Sequence, residues 1–410
     1  MGGTTGGVTE LRERIRALPG MDRLLPALDG LPPAYLVGGA VRDLMLGRAA
    51  PDLDVVVEAD TRASARALAE RLGGFTEEHE RFGTATVRAP GLSVDVAQAR
   101  VEHYPTPGSL PVVAPASLGA DLRRRDFTIN AMAVALRGDE LGHLHDPHGG
   151  RGDLDRRVVR VLHDTSFLDD PTRMIRAARY ETRLGFRMDR DTERLAREAV
   201  DIGAMRTLSG TRLRVALFLL LAEYEAPSAL GRLHDLGVDR GLHPALVFDA
   251  TLAASAAIGA GEVGADRVLA VLAALVSEAP DELGPWIGSL GLERESRDRV
   301  RRAGRDARAL AEGLGAVRLS PSGVYFLLRD EPAEALALAL ALGVAPEPIL
   351  DYGTRLRFVR LDITGDDLIA AGVRPGPALG RALSETLRAK LDGEVAGRED
   401  ELRYALRVAP

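Results

Sequence analysis

The stretch Tyr35 to Asp54, YLVGGAVRDLMLGRAAPDLD, decides how the front of this chain folds. Tyr35–Val37 is an apolar strand that runs into Gly38–Gly39, where missing β-carbons let backbone N–H groups approach an anion, and a helix is expected to begin just after them. Arg42 falls in the first turn of that helix, and a fixed guanidinium beside such a loop suits a polyphosphate. Asp52 and Asp54 lie two apart on a β-rich run, so both carboxylates leave the same face of a strand. Two adjacent carboxylates repel each other. A divalent cation removes the repulsion, and two hard oxygen donors are the expected half-site for Mg²⁺. Alone, a Gly-Gly is usually a turn and an Asp-x-Asp is usually solvated; their joint spacing gives them weight.

Outward from this stretch, residues 34–135 alternate short β-rich runs (AYLVGG, LDVVVEA, TATVRA, LSVDVA, NAMAVAL) with one clear helix near 61–73, the pattern of a compact α/β unit. Before it, 1–33 reads as an N-terminal helical segment, with apolar residues at helical spacing over 8–29 and a stop at Gly30, Pro32 and Pro33. After it, 146–162 reads as a Gly/Pro turn followed by the strand RRVVRVL. From about 168 the pattern is almost wholly helical, with breaks expected at Gly203, Gly210, Gly237, the Ala/Gly-rich 253–265 and Gly284–Pro285. The expected organisation is an α/β head over 34–165, a neck over 166–225, a helical body over 226–317 and a helical tail over 318–410.

Composition narrows the function. At 410 residues, the chain has room for several domains with a sizeable core. A net charge of −7 argues against a broadly polycationic nucleic-acid binder, and 4% aromatics argue against rows of stacking platforms. The absence of cysteine excludes thiol nucleophiles, disulfides and Cys-ligated metal. The longest apolar runs, 336–345 and 268–276, fall short of the roughly 18 residues needed to cross a bilayer, and the N-terminus does not read as a signal peptide. A soluble, cytoplasmic protein is expected, of an oligomeric state that the sequence does not give.

Two further strings carry chemistry. Residues 123–131, RRRDFTINA, combine three arginines with an acid and an amide; in isolation they describe a basic strand edge with an Asx turn. Residues 167–186, FLDDPTRMIRAARYETRLGF, describe an amphipathic helix with a basic face, with Asp169 as N-cap and Pro171 in the first turn. Together with the Gly-Gly, Arg-Asp and Asp-x-Asp spacing, these strings resemble the signature of the nucleotidyltransferase superfamily, specifically the bacterial-type (class II) tRNA nucleotidyltransferases, or CCA-adding enzymes, and their poly(A) polymerase relatives. The resemblance covers 35–54 and 95–190, continues more loosely through the helical body, and returns in 361–406, where the turn Gly372–Gly380 precedes a helix that resembles the family's RNA-binding tail.

That resemblance implies a mixed-sheet head on a long all-α body and tail, and a set of roles. Asp52 and Asp54 would be catalytic and hold Mg²⁺ in a two-metal site. Gly38, Gly39, Arg42 and Arg125 would meet the triphosphate, with Asp126 and Asn130 near the ribose or holding the site together. A third carboxylate is expected, with Asp95 and Asp126 both open; Asp95 sits among apolar neighbours in LSVDVA, a costly place unless it is paired or metal-bound. Asp170, Arg173, Arg176 and Arg179 match the family's nucleotide-contacting string. Cytosine and adenine both present an exocyclic amine beside a ring-nitrogen acceptor, while uracil and guanine present the reverse, so a carboxylate with a guanidinium accepts C and A and rejects U and G. Asp170 and Arg173 suit that task. Arg179 lies nearly opposite Asp170 around a helix, which places Arg176 and Arg179 better for phosphate or bracing.

The expected reaction is template-independent addition of C and A to the tRNA 3′ end from CTP and ATP. The alternatives are enzymes restricted to the terminal A or to CC, a poly(A) polymerase, or a non-catalytic RNA-binding relative. The long segment 100–122 weighs against the CC-only form. One departure stands out: where relatives carry a Glu-Arg pair followed by another Glu, this chain reads LSGTRLRVAL, with Thr211 and Ala216 in place of the acids. Three His-Asp pairs, at 145–146, 163–164 and 234–235, are expected to be structural rather than a metal-hydrolase site.

Overall fold

The run AYLV forms strand β1 (Ala34–Val37), with all four residues buried. A strand covered on both faces must be apolar throughout, which is why this run shows no alternation. The computed structural model describes residues 4–49, 53–79, 83–316 and 319–409. β1 pairs antiparallel with β2 (Leu53–Val57) on one side and, on the other, with Ala133–Ala135. The remaining head strands are β3 (Phe75–His79), β4 (Thr84–Ala89), β5 (Leu92–Gln98), β6 (Arg100–His103) and β7 (Val112–Pro115), and Ala133–Ala135 and Leu144–His145 are β8 and β9. Among the described residues they make a seven-stranded mixed sheet in the order β3-β4-β5-β2-β1-β8-β9, with β6 and β7 as a separate ribbon. Tyr35, Val37, Val56, Ala99, Leu118, Leu122, Ala133 and Ala135 form one core cluster of the head.

The N-terminal helical segment is two helices, α1 (Thr4–Arg16) and α2 (Met21–Leu28), divided at Pro19–Gly20, where Gly20 takes φ +80°. Helix α3 (Gly39–Met45) begins within the glycine pair, one residue earlier than expected, with Gly38 as its N-cap, and α4 (Thr61–Leu72) lies where helical spacing places it, capped by Asp60 through Ala63 N–H at 2.8 Å. Then come α5 (Leu118–Arg123) and α6 (Gly150–Arg156), the latter in a stretch expected to be only a turn, with Asp146 accepting from Gly150 and Arg151 N–H. The expected strand RRVVRVL shrinks to Val158–Val159, paired parallel with Arg187–Met188. Residues 167–186 are not one helix. Asp169 ends α7 (Ser166–Asp169), and α8 runs Thr172–Leu184; it is Asp170, in extended backbone, whose carboxylate accepts from Thr172 N–H at 3.0 Å. Proline at 171 disfavours helical backbone at 170, which separates the two.

The chain forms two compact units, Met1–Ala216 with Asp235–Gly241, and Leu217–His234 with Leu242–Pro410. The second is helical; of its expected breaks, the one at Gly284–Pro285 is absent and the one over 253–265 is confined to its end, at Gly264. Ala250–Val263 is a continuous helix, because alanine has the highest helix propensity, and Gly259 serves packing: a Cβ there would lie 2.5 Å from the Ala337 carbonyl oxygen. Gly284–Pro285 sits inside the helix Pro280–Ser289. In the tail Lys390, the chain's single lysine, pairs with Asp362 at 2.8 Å and with the buried Glu401 at 2.6 Å. No helix among the described residues is long and apolar enough to cross a membrane.

Arg157, at the end of α6, is the one non-glycine residue described with positive φ, at 56°, and its side chain is exposed. Left-handed backbone costs an L-residue ~1 kcal/mol or more. Arg157→Gly is expected to raise head stability by about 1 kcal/mol, read as a higher melting midpoint for the head transition.

Candidate active site

Alternation along β5 buries Leu92, Val94 and Val96 and sends Ser93 and Asp95 to the open face. Asp95 is therefore exposed, and the burial penalty expected from its apolar neighbours does not arise. The parallel register of β2 and β5 pairs Asp54 with Asp95, so the two side chains leave one face of the sheet from adjacent strands, whose backbones run about 4.8 Å apart. Asp95 Oδ1 accepts from Thr86 Oγ1 at 2.6 Å. Asp52 lies outside the described residues. Asp54 and Asp95, two hard oxygen donors side by side, fit a divalent cation such as Mg²⁺. Asp126, the other candidate for the third carboxylate, is buried elsewhere in the site: it accepts from Phe127 N–H at 2.8 Å and Asn130 Nδ2 at 3.0 Å, and pairs with Arg176 at 2.5 Å.

The glycine pair is constrained from two sides. Gly38 has φ +66°, and a Cβ there would stand 2.8 Å from Arg125 Nη1. Arg125 is held in place by Asp121 Oδ2, at 2.9 Å from Nη2, while Arg124 grips Asp121 Oδ1 at 2.6 Å. Arg42 is buried, bonded twice to Asp43 (2.9 and 2.8 Å), donating to Asn130 Oδ1 at 2.8 Å, and lying 5.1 Å from the Tyr180 ring centroid. Asn130 thus links Arg42 to Asp126, which in turn pairs directly with Arg176. This network fixes the orientation of cations that face a phosphate-sized space.

That space is a cavity of about 520 Å³ whose lining includes Gly38, Gly39, Arg42, Asp54, Arg125, Asp170, Arg173, Arg176 and Arg179, so the catalytic and nucleotide-binding residues expected from sequence are brought together, apart from Asp52 and the third-carboxylate candidate Asp95. Arg173 donates to Ser166 Oγ at 2.6 Å and to the Arg124 carbonyl at 2.9 Å. Asp170 and Arg173 share the cavity without pairing to each other; the partner of Asp170 is Arg212, at 2.7 Å. Arg176 braces Asp126, and its charged form is strongly favoured by that carboxylate. Arg179 reaches the cavity despite its place on α8, its guanidinium lying 5.5 Å from the Tyr180 centroid. The sequence reading missed Glu102 and Tyr104 in the cavity wall. Burial, then the neighbouring Glu102, pushes the Tyr104 phenol up to about 12, so it is a neutral donor, bonded to Glu102 Oε2 at 3.0 Å. A second cavity of about 330 Å³ shares Asp54, Arg124 and Arg125 with the first and adds Asp95, His79, Thr86 and Arg100. Two spaces therefore flank the carboxylate pair.

The His-Asp pairs do not converge. His145 packs edge-on to Tyr35, Asp146 caps α6, and His163 lies 3.1 Å from Thr165 Oγ1; no group of three or more His, Asp or Glu among the described residues gathers as a metal site.

Burial would raise both Asp121 and Asp126, yet the arginine charges outweigh it and hold both below the usual carboxylate range. A depressed folded value means the contribution is present above the unfolded value, about 3.9, and is lost as pH falls through the folded one. Head stability is expected to hold from pH 8 to 5 and to decline below about 4. An Asp121→Asn variant is expected to melt lower at pH 7 and to lose less on acidification, measured by thermal melts across pH.

Residues 34–160 match the family model described as the poly A polymerase head domain. The chain is 40% identical over 399 residues, 92% of its length, to the A-adding tRNA nucleotidyltransferase of Geobacter sulfurreducens, and it spans 45% of that longer protein. It is 32% identical to the A-adding tRNA nucleotidyltransferase of Halalkalibacterium halodurans, covering 90% of this chain and 87% of that one. A solved CCA-adding enzyme structure, its apo form II, aligns with TM-score 0.87 at 32% identity over 98% of both chains. The head that those glycines, carboxylates and arginines build is the one this alignment spans, and the chain belongs to the tRNA nucleotidyltransferase family.

Proposed function

We propose that this protein adds the terminal A to tRNA 3′ ends from ATP without a nucleic-acid template. The observation that carries the reaction class is the single cavity that joins the Gly38–Gly39 loop, Asp54 and the Asp170/Arg173 pair. The terminal ribose hydroxyl of the tRNA enters from the second cavity. Its oxygen forms a bond to the α-phosphorus while the bond to the bridging oxygen breaks, and pyrophosphate leaves with that electron pair. Arg42, Arg125, Arg176 and Arg179 neutralise the triphosphate, and the Gly38–Gly39 backbone lets it approach. Asp170 accepts from the exocyclic amine of the base and Arg173 donates to the ring nitrogen. Asp52, Asp54 and Asp95 are the residues that would hold Mg²⁺. Bound there, Mg²⁺ would supply charge that eases loss of the hydroxyl proton to solvent and offsets charge on the transferred phosphoryl group.

Restriction to A is supported by the names of the relatives at 40% and 32% identity. Full C and A addition from CTP and ATP is the second reading, favoured by the likeness over 98% of both chains to a CCA-adding enzyme and by the base logic above, which admits both nucleotides. One gel separates them. Purified protein with Mg²⁺ is offered tRNAs ending before the first C, after one C and after both, with CTP, ATP or both. Extension of only the CC-ended tRNA by ATP supports the A-adding form; extension of all three supports the full reaction; extension of none overturns both.

A further inference from the structure

One row of side chains crosses four strands of the head sheet on the face that carries the carboxylate pair. The registers place Asp54 (β2) beside Asp95 (β5), Asp95 beside Thr86 (β4) and Thr86 beside Glu77 (β3). Directly paired residues leave the same face of a sheet, so Thr86 stands on the side of Asp95 away from Asp54. Thr86 is only 8% exposed, although Asp95 beside it is open to solvent. Glu77, at the end of the row, pairs with Arg88 at 2.8 Å, so the Thr86 hydroxyl answers to Asp95 and not to the outer acid.

That hydroxyl has one proton, and an ionised carboxylate can only accept. The 2.6 Å contact between Thr86 Oγ1 and Asp95 Oδ1 therefore commits the proton to Asp95. The hydroxyl oxygen is left as an acceptor, and His79 Nε2 lies 3.4 Å from it, a long contact in which the imidazole N–H is the donor. His79, Thr86 and Asp95, from three strands, thus form a line of donors that ends on Oδ1, and all three line the cavity of about 330 Å³ beside Asp54. Threonine is stiff at χ1, so a buried one in register with Asp95 offers its hydroxyl in one place. With Oδ1 held toward β4, the plane of the carboxylate is set, and Oδ2 is the oxygen left for a cation shared with Asp54. An exposed aspartate without such a donor turns freely and would lose that freedom each time an ion bound. A neutral hydroxyl orients Asp95 without cancelling the negative charge that the cation needs.

We propose that Thr86 is a positioning residue for divalent-cation binding: its hydroxyl, backed by His79, fixes the Asp95 carboxylate so that Oδ2 and Asp54 present a preformed half-site for Mg²⁺. The inference rests on the reading of Asp54 and Asp95 as a cation-holding pair. Its test titrates the full chain, without nucleotide, with Mn²⁺ as the probe, reading the free ion by its electron paramagnetic resonance signal, in wild type, Thr86→Val, Thr86→Ser and Asp95→Asn. Thr86→Val keeps the shape and the β-branching that suit a strand and removes only the hydroxyl. It is expected to weaken Mn²⁺ binding by about ten- to a hundredfold, the loss typical of removing a group that orients a metal ligand. Thr86→Ser keeps the hydroxyl and is expected to bind within threefold of wild type; a loss equal to that of Thr86→Val would overturn the inference. In nucleotide addition, Thr86→Val is expected to raise the Mg²⁺ concentration giving half the maximal rate, while the rate at saturating Mg²⁺ stays within threefold. A residue that only supports the fold would lower the melting temperature and leave Mn²⁺ affinity unchanged. If Asp95→Asn weakens Mn²⁺ binding tenfold or more while Thr86→Val leaves it within threefold, the inference is overturned and the metal-site reading stands. If Asp95→Asn itself leaves binding within threefold, both fall. Should Thr86→Val not fold, Thr86→Ala decides by the same limits.

Discussion

Replacing Asp54 by asparagine is expected to lower the rate of nucleotide addition by about 10³-fold or more, with ATP binding changed only a few-fold. Asp54 stands between the two cavities, paired in register with Asp95. An amide in its place keeps the shape and removes the charge that a divalent cation needs, and losing that stabilisation of the transferred phosphoryl group amounts to several kcal/mol in the transition state. Single-turnover incorporation beside equilibrium ATP binding checks this directly. The same pair of assays separates the two candidates for the third carboxylate. Asp95→Asn is expected to follow Asp54→Asn in losing turnover. Asp126→Asn is expected to lower the melting temperature while turnover stays within tenfold, because that carboxylate is occupied by Arg176, Asn130 and Phe127 N–H.

Asp170→Ala is expected to erase discrimination between amine-bearing and carbonyl-bearing bases. One well-made bidentate recognition contributes on the order of 1–3 kcal/mol, so the ATP/GTP ratio should fall by about ten- to a hundredfold. The fall should come from slower use of ATP together with faster use of GTP, since removing the carboxylate also removes what repels the guanine O6. Competition with all four nucleotides on a CC-ended tRNA reads both effects at once. A uniform slowing of every nucleotide, with the ratio kept, would assign Asp170 to the fold through Thr172 and Arg212 instead.

The central strands of the head were legible because each is a continuous or alternating apolar run: AYLV, LDVVV, LSVDV and AVA all lie in the sheet. Phe75–His79 was not, since FTEEH is an edge strand with exposed or half-buried residues throughout, and no hydrophobic period survives in it. The hairpin Arg100–Pro115 was read only as a long segment. Its pairing carries few buried side chains, and what holds it is Glu102 on β6 and Arg212 at the tip. The alanine-rich 253–265 misled in the opposite direction, because a glycine that lets two helices approach reads locally like a break. Within the site, contiguous strings such as RRRDFTINA and the DDPTR segment announced their chemistry. What they could not announce is who holds them: Asp121 under Arg124 and Arg125, Asp43 under Arg42, and Arg212 against Asp170. Those pairings are made by the fold, and with the exception of Arg42–Asp43 they join residues from different turns or elements.

The cavity between the Gly38–Gly39 loop and Asp170 is expected to select the nucleotide for a tRNA end without a template. The most direct measurement is the intact mass of a CC-ended tRNA after incubation with the full chain, Mg²⁺ and all four nucleoside triphosphates together. The expected product is one added A, with G and U additions rarer by at least tenfold. An unchanged tRNA mass, or addition of G and U at frequencies comparable with A, would contradict it.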